Sequence, residues 1–411
     1  MPSNQWMPAN NSKIQLLFSI LVAELPVIAT YASGIPGLSA ADLLLVILWT
    51  VVLLGYRHRR TNRFAVRPTL ILAALYLMVL FSMISLVTQR QPQYVSVAIR
   101  MIRYFFYLSV VGFCSTRILN IELCKSAIRL TGILATVYMF VQYAVYTQTK
   151  VVLRGFLPFL KLYTEGYASR DYQTLYATDL YRPTAFFLEP AHYARYAILA
   201  LILFLFRDGP VTGKQISVGI FLSLGVLIST SSQGYMLLAL VWPLFLLTRR
   251  KFMPDAATKN LCLLAILALP VIVICLFQLP FVQSTLARSL NIDLSNNMTA
   301  VGARLGGFKY YLELQPLYKL IGMGFGAVPA HGWMSSAVYW LYGSGLLVFA
   351  LYCAYAMKCI FRLTGAARII ALVFFLLFFT DDCFYSYMCV LFLSVSLLKP
   401  IQADGQGDPV S

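Results

Sequence analysis

The sequence predicts an all-α fold, a polytopic integral membrane protein with one membrane domain over residues 1–411 and about 12 transmembrane helices. Three observations predict it. Apolar residues fill 60% of the 411 positions and charged residues only 11%, with a mean hydropathy of +0.76; a soluble domain carries roughly 25% charged residues. Apolar runs recur near the ~20 residues that take a helix across hydrocarbon. The period-2 alternation of a membrane barrel is absent.

The runs lie at about 14–32, 39–56, 68–88, 96–114, 127–146, 187–206, 215–230, 234–248, 260–281, 335–357, 368–380 and 383–398. Backbone groups in lipid must bond within their own segment, so each run reads as a helix. The first follows a single basic residue, Lys13, and is broken by Glu24 and Pro26. Its positive flank is thin for a cleaved leader, so it reads as an uncleaved span. The last two are short, and read as two spans or as one broken hairpin.

Basic residues orient the chain, because cytoplasmic loops retain Lys and Arg. The segment RHRRTNRFAVR (57–67) is the clearest anchor. Placing it inside brings both termini inside, along with segments 117–129, 207–214, 249–259 and 358–368. Two long loops, 147–185 and 282–334, then lie outside. Loops of that length in a compact bundle are usually functional or disordered; their aromatic and Arg content argues against disorder. On a soluble chain the net charge of +17 would suggest nucleic acid; here it sorts by membrane side. The eight cysteines fall mostly in apolar runs or short basic loops and form neither a disulfide framework nor a metal spacing.

The outer loops and adjoining span ends carry many cations, among them Arg90, Arg100, Arg103, Lys150, Arg154, Arg170, Arg182, Arg195, Arg288 and Arg304. A translocated face should be depleted of them. A bulky anion at the outer boundary would hold them, since guanidinium groups bind phosphate oxygens bidentately. Snorkelling to head groups is the structural alternative. Arg100 and Arg103 share a helix face inside an apolar run. At the centre of a span a charge costs about 2.5–3.5 kcal/mol, which a polar cavity or a carboxylate partner would offset.

The stretch RPTAFFLEPAHYARYAILALILFLF (182–206) passes from loop to apolar helix. Pro190 suits a first helical turn, and Glu189 suits the helix entrance. Glu189, His192 and Arg195 follow at three-residue steps and tend to one side, with Arg182 ahead of them. A helix cap with a Glu–Arg pair is one reading; a base or orienting carboxylate beside phosphate-binding arginines is the other. A single E-x-x-H without a second copy does not read as a metal site. GMGFG (322–326) lacks the strand–helix context of a nucleotide loop and reads as a tight turn or re-entrant hairpin. Asp381 and Asp382, between the last two short runs, read as a solvated turn or as an anchor for a metal or sugar.

RPTAFFLEPAHYARYAIL resembles the "R…EP…A" segment of bacterial O-antigen and capsular polysaccharide polymerases. STSSQGYMLLAL (229–240) resembles their Ser-rich turn, with Gln233 where Arg is common. ARLGGFKYYLELQPLYKLIGMGFG (303–326) and AHGWMSSAVYWLYGSGLLV (330–348) resemble their Arg-bearing loop, Gly-rich turn and His-bearing helix start, with Gly332 where Asn usually follows the His. The motifs keep their order over about residues 180–350. The resemblance implies a metal-independent, cofactor-free glycosyltransferase in the bacterial inner membrane, with both termini cytoplasmic and its site facing the periplasm. It would join undecaprenyl-diphosphate-linked oligosaccharide units. The partners implied are that carrier, membrane lipids and a chain-length regulator membrane protein, and no nucleic acid. The residues implied are Glu189, His331 and Arg304 for catalysis; Arg100, Arg103, Arg182, Arg195 and Arg304 for the diphosphate; and His192, Asp381 and Asp382 in support. O-antigen ligases share the His-bearing segment and large outer loop, so ligation is the first alternative. A transporter or flippase is the second, although neither inverted repeats nor paired broken helices stand out.

Overall fold

A computed structural model of the chain describes residues 9–35, 37–55, 61–163, 181–249, 307–328 and 334–401, together with residues 252 and 260. Among these the architecture is helical, with one two-stranded ribbon. In chain order the elements are α1 (Ala9–Ile28), α2 (Ala40–Gly55), β1 (Asn62–Phe64), α3 (Thr69–Thr88) and α4 (Tyr94–Ser109). Helix α4 runs on through a π-helical stretch, Val110–Ser115, to Ile118. Then come α5 (Ile121–Thr149), α6 (Pro190–Leu205), α7 (Gly213–Ile228), α8 (Ser232–Arg249), α9 (Phe308–Leu312), α10 (Pro316–Ile321), α11 (Ser336–Arg362), α12 (Gly365–Thr380), α13 (Met388–Leu397) and β2 (Leu398–Pro400). A helix coincides with every expected run except 260–281, which beyond residue 260 lies outside the described residues. Among the described residues, four helical segments are long and apolar enough to cross a membrane: α3, Tyr94–Ile118, α5 and α11.

The core is apolar, and large apolar side chains also cover much of the exterior. Leu54, Val87 and Leu247 are more than 80% exposed, whereas Ser82, Ser115, Thr136 and Ser394 are buried. The buried hydroxyls find partners locally or between helices: Ser115 and Ser394 meet at 3.0 Å, and Thr136 meets Tyr193 at 2.8 Å. Such placement suits helices whose outer faces lie against apolar surroundings.

Helix α6 is the hub. Almost every side chain from Tyr193 to Leu205 is buried, which is why the run is apolar all round. Small residues let its neighbours approach. A Cβ at Gly132 of α5 would fall 2.6 Å from Ala200, and one at Gly234 of α8 would fall 2.9 Å from Ala194. The helix starts where Glu189 is extended and Pro190 occupies the first turn, as the sequence predicts. Helix α7 starts on a reciprocal Thr212–Gln215 capping box. Asn120 caps α5 by accepting from the Leu123 amide.

The glycine-rich segment after α10 is a turn packed into the bundle. Gly322, Gly324 and Gly326 all have positive φ. Ser85 donates to the Gly322 carbonyl and Gln89 to the Met323 carbonyl, while the Phe325 amide donates to Ser82. Opposite this turn α11 is broken: Gly345 has φ 79° and ψ 173°. A Cβ on Gly345 would meet the Leu320 carbonyl oxygen at 2.1 Å, and one on Gly322 the Gly343 carbonyl oxygen at 2.3 Å. Backbone lies on backbone there, which only glycine permits. The described part of 282–334 is thus structured, and α11 carries a break that the apolar pattern does not reveal.

The ends of loop 147–185 are pinned as well. The Ala32 amide donates to Lys161 and the Tyr163 amide to Thr30. Gln142 holds Ala185 from both sides, accepting from its amide at 2.8 Å and donating to its carbonyl at 3.3 Å.

Candidate functional site

The start of α6, the α7–α8 turn, the end of α12 and the start of α11 converge at one end of the bundle. At their centre Arg195 Nη1 contacts Asp381 Oδ1 at 2.9 Å, with side-chain exposures of only 3% and 10%. Arg195 lies one and a half turns into α6, and Asp381 follows the last residue of α12. The same Asp381 oxygen accepts from the Asp382 amide at 2.7 Å. Its backbone carbonyl accepts from the Ser336 amide at 2.7 Å, tying the start of α11 to the end of α12. Gln233 donates to Thr380 at 3.1 Å, so the serine-rich turn closes the third side.

Asp382 differs from its neighbours. Asp381, Cys383 and Phe384 are buried, whereas Asp382 is exposed at this end of the bundle. Burial and then the charge of Asp381 push its carboxyl up to about 8; its exposure moderates the first cause. Burial, the largest single influence, would raise Asp381 too, but the Arg195 guanidinium together with hydrogen bonds from Asp382 and Gln233 and the nearby His192 holds that carboxyl below its ordinary range. Two adjacent carboxylates are therefore driven apart, one held ionised and one held protonated. Glu189 and His192 are half-buried beside them, and the negative charge of Glu189 adds to the rise at Asp382. His192 Nδ1 is buried with no hydrogen-bond partner among the described residues.

The arginines divide. Arg182 Nε donates to Thr230 Oγ1 at 3.1 Å, and Thr230 is a non-glycine residue at φ 53°. Ala185 is at φ 51°. Backbone held in that region is uncommon and concentrates at functional sites. Arg100 lies over the Tyr339 ring, 5.0 Å from its centroid, with Gly326 against its aliphatic stem. Tyr339 in turn stacks edge-on to Tyr385, three residues beyond Asp382.

Arg103 takes the carboxylate partner instead. It contacts Asp42 at 3.2 Å and donates to the Gly37 carbonyl. Tyr107 donates to Asp42 at 2.5 Å, and the Ser39 amide and hydroxyl donate to it at 3.0 and 2.9 Å. Arg103 is thereby turned toward α2, with its Nη2 engaged by Asp42 and Gly37. Arg195 is paired as well, with Asp381 rather than with Glu189.

The structure thus brings Glu189, His192, Arg195, Asp381 and Asp382 together, with Arg182 adjoining and Arg100 reaching the same end through Tyr339 and Tyr385. Arg304, His331, Arg170 and Arg288 lie outside the described residues. The residues that the sequence leaves unmarked are Asp42, Thr230 and Thr380, and Gln233 is marked only as a departure from the Arg common in the Ser-rich turn. Only Asp42 carries a usable signal: an acid in the first turn of an apolar helix needs a partner.

No protein-family model matches the chain, and no curated protein does.

Proposed function

We propose that the chain is a membrane glycosyltransferase, which transfers glycan from a polyprenyl-diphosphate carrier to the hydroxyl of a second carrier-linked glycan. The observation that carries this reading is the charged cluster around the Arg195–Asp381 pair, where the exposed Asp382 meets Glu189 and His192; the proposal puts the substrate hollow there. The four long apolar helices and the apolar exterior support a membrane setting. The basic segments support a hollow on the outer face of a bacterial inner membrane, with both termini inside. The order of the motifs over about 180–350 supports the polymerase family.

In such a transfer the acceptor oxygen bonds to the anomeric carbon as the bond from that carbon to the phosphate oxygen breaks. The diphosphate leaves with the electron pair, and its growing charge calls for fixed cations. Arg182 and Arg100 are suited to that task, with Arg304 their sequence-based companion. Arg195, neutralised by Asp381, positions the carboxylates. The acceptor's proton passes to Glu189, since Asp382 already holds one; a base so placed contributes ~10²–10⁴ in rate.

The test is to supply purified protein with polyprenyl-diphosphate oligosaccharide and no nucleotide. Longer lipid-linked glycans support the proposal. Transfer to a lipid-core acceptor alone would replace it with ligation. A transporter is a second reading, favoured by the break at Gly345, since broken helices line transport sites. Movement of the intact carrier across vesicles with no elongation would establish that reading instead.

A further inference from the structure

A cavity of about 300 Å³ runs from the ribbon of β1 and β2 to Phe384, two residues beyond Asp382. Its wall is drawn from α3, α4 with its π-helical stretch, α11, α12 and α13, and is almost wholly apolar. Leu72 and Gly112 mark its mouth: both line it and both are exposed. The mouth therefore opens sideways onto the apolar exterior. Gly112 lies within Val110–Ser115, where the helix widens to π geometry; such bulges are frequent at functional sites. A Cβ built at Gly112 meets nothing within 4 Å. A dry, apolar space of this kind favours an apolar guest over water.

A second observation lies on the rim. Phe64, Pro68 and Leu397 line the cavity, and β1 and β2 run past it. In that ribbon Arg63 stands directly opposite Lys399, and both are exposed. Like charges opposite one another destabilise a strand pair. Among the described residues no carboxylate pairs with either. Arg67, also exposed, adjoins Pro68 at the same rim. General enrichment of cations on an inner face explains their number, but not two of them in register on the outer face of a ribbon whose other face, through Phe64, lines an apolar cavity.

We infer that the cavity and its ribbon are a binding site for an anionic phospholipid, with one acyl chain entering the cavity past Leu72 and Gly112 and the phosphate held by Arg63 and Lys399. The chain fills apolar space reached directly from the bilayer. The phosphate relieves the repulsion between the two cations, and basic pockets between helices recognise such head groups. The inference needs the bilayer setting but not the glycosyltransferase activity.

The experiment is native mass spectrometry of the full-length, detergent-purified protein, titrated with phosphatidylglycerol or phosphatidylcholine bearing identical acyl chains and with no glycan substrate. The wild type should retain one phosphatidylglycerol in preference to phosphatidylcholine. The preference should fall roughly fivefold for each cation removed, so about 30-fold in Arg63→Gln/Lys399→Gln. Gly112→Leu should lower retention of both lipids by occupying the mouth. Equal retention of the two lipids by the wild type would overturn the inference, as would unchanged phosphatidylglycerol retention in the strand variant. If Gly112→Leu fails to fold, the strand variant decides alone, since it changes only exposed side chains. Because no glycan is present, failed glycan elongation and failed lipid retention remain separate results.

Discussion

Replacing Arg195 with Met, Asp381 with Asn, and then both together tests whether the buried pair organises the site. At an N–O separation of 2.9 Å the charge centres lie about 4 Å apart, and their attraction is about 4 kcal/mol at an effective dielectric near 20. Both side chains are nearly inaccessible, so solvent screens little of it. Removing one partner leaves the other charge buried and unpaired, which costs about 3–5 kcal/mol. Removing both takes away that charge, so the double variant should recover much of the loss. The assay is thermal unfolding in detergent, followed by the loss of monodisperse protein. Acid should rescue Arg195→Met, because Asp381 can then take a proton. It should not rescue Asp381→Asn, because a guanidinium keeps its charge. Additive single effects, with a coupling below about 0.5 kcal/mol, would refute the pairing and remove the floor of the proposed hollow.

Asp382→Asn should change how stability depends on pH. An unfolded aspartate ionises near ~3.9, whereas the folded carboxyl is raised to about 8. The folded state thus holds the proton longer, and ionisation opposes folding across that window. The stability of the wild type should fall, relative to the variant, as pH rises from about 4 through about 8; parallel melting curves would deny the raised carboxyl. Gly345→Ala should cost at least about 1–3 kcal/mol for the positive φ alone, with the Leu320 carbonyl clash added. Gly112→Ala, at an open helical position, should instead be neutral or gain about 0.5–1 kcal/mol; equal effects on thermal stability would contradict the backbone contact. Arg304→Ala and His331→Ala should each abolish long glycan chains at unchanged protein level on gels of cell-surface glycan, and normal chain length in both would exclude them from the site.

Much of the helical layout is legible because lipid imposes a crude and strong rule: long apolar runs become helices, and Pro190 and Thr212 mark where they begin. The stretch from Glu189 to Arg195 is legible for the same reason, since three-residue steps on a helix share a side. What lies across from it is not. Arg195 and Asp381 are far apart in sequence, and nothing local distinguishes a carboxylate that will meet a guanidinium from one that will meet water. Asp381 and Asp382 look alike in the chain, yet one is locked to Arg195 and the other is exposed. Arg103 illustrates the same limit: Asp42 lies two helices earlier, so its pairing is a property of the bundle. The break at Gly345 escapes because GSG within an apolar run is compatible with an unbroken helix. Only the turn at Gly322 pressing against it requires the kink.

The physical logic of the charged end follows from these pairings. A guanidinium buried without a partner would be too costly for the bundle to hold. Asp381 neutralises it, and in doing so fixes an ionised carboxylate one residue from Asp382. That proximity, together with Glu189, disfavours a further negative charge at Asp382. Burial first, then the Asp381 charge, with Glu189 adding to them, raise the proton affinity of this exposed carboxyl against the lowering influence of Arg195. An acid that holds its proton near neutrality can exchange it with a hydroxyl, which an ordinary surface aspartate does poorly. In the proposed transfer the charge of Glu189 would repel a diphosphate brought near it, so the carrier's phosphates would lie on the side of Arg182 and Arg100 and the sugar on the side of Asp382. Charge would then orient the donor with its anomeric carbon toward the carboxyls and its diphosphate away from them, the arrangement that an attack by a hydroxyl at that carbon requires.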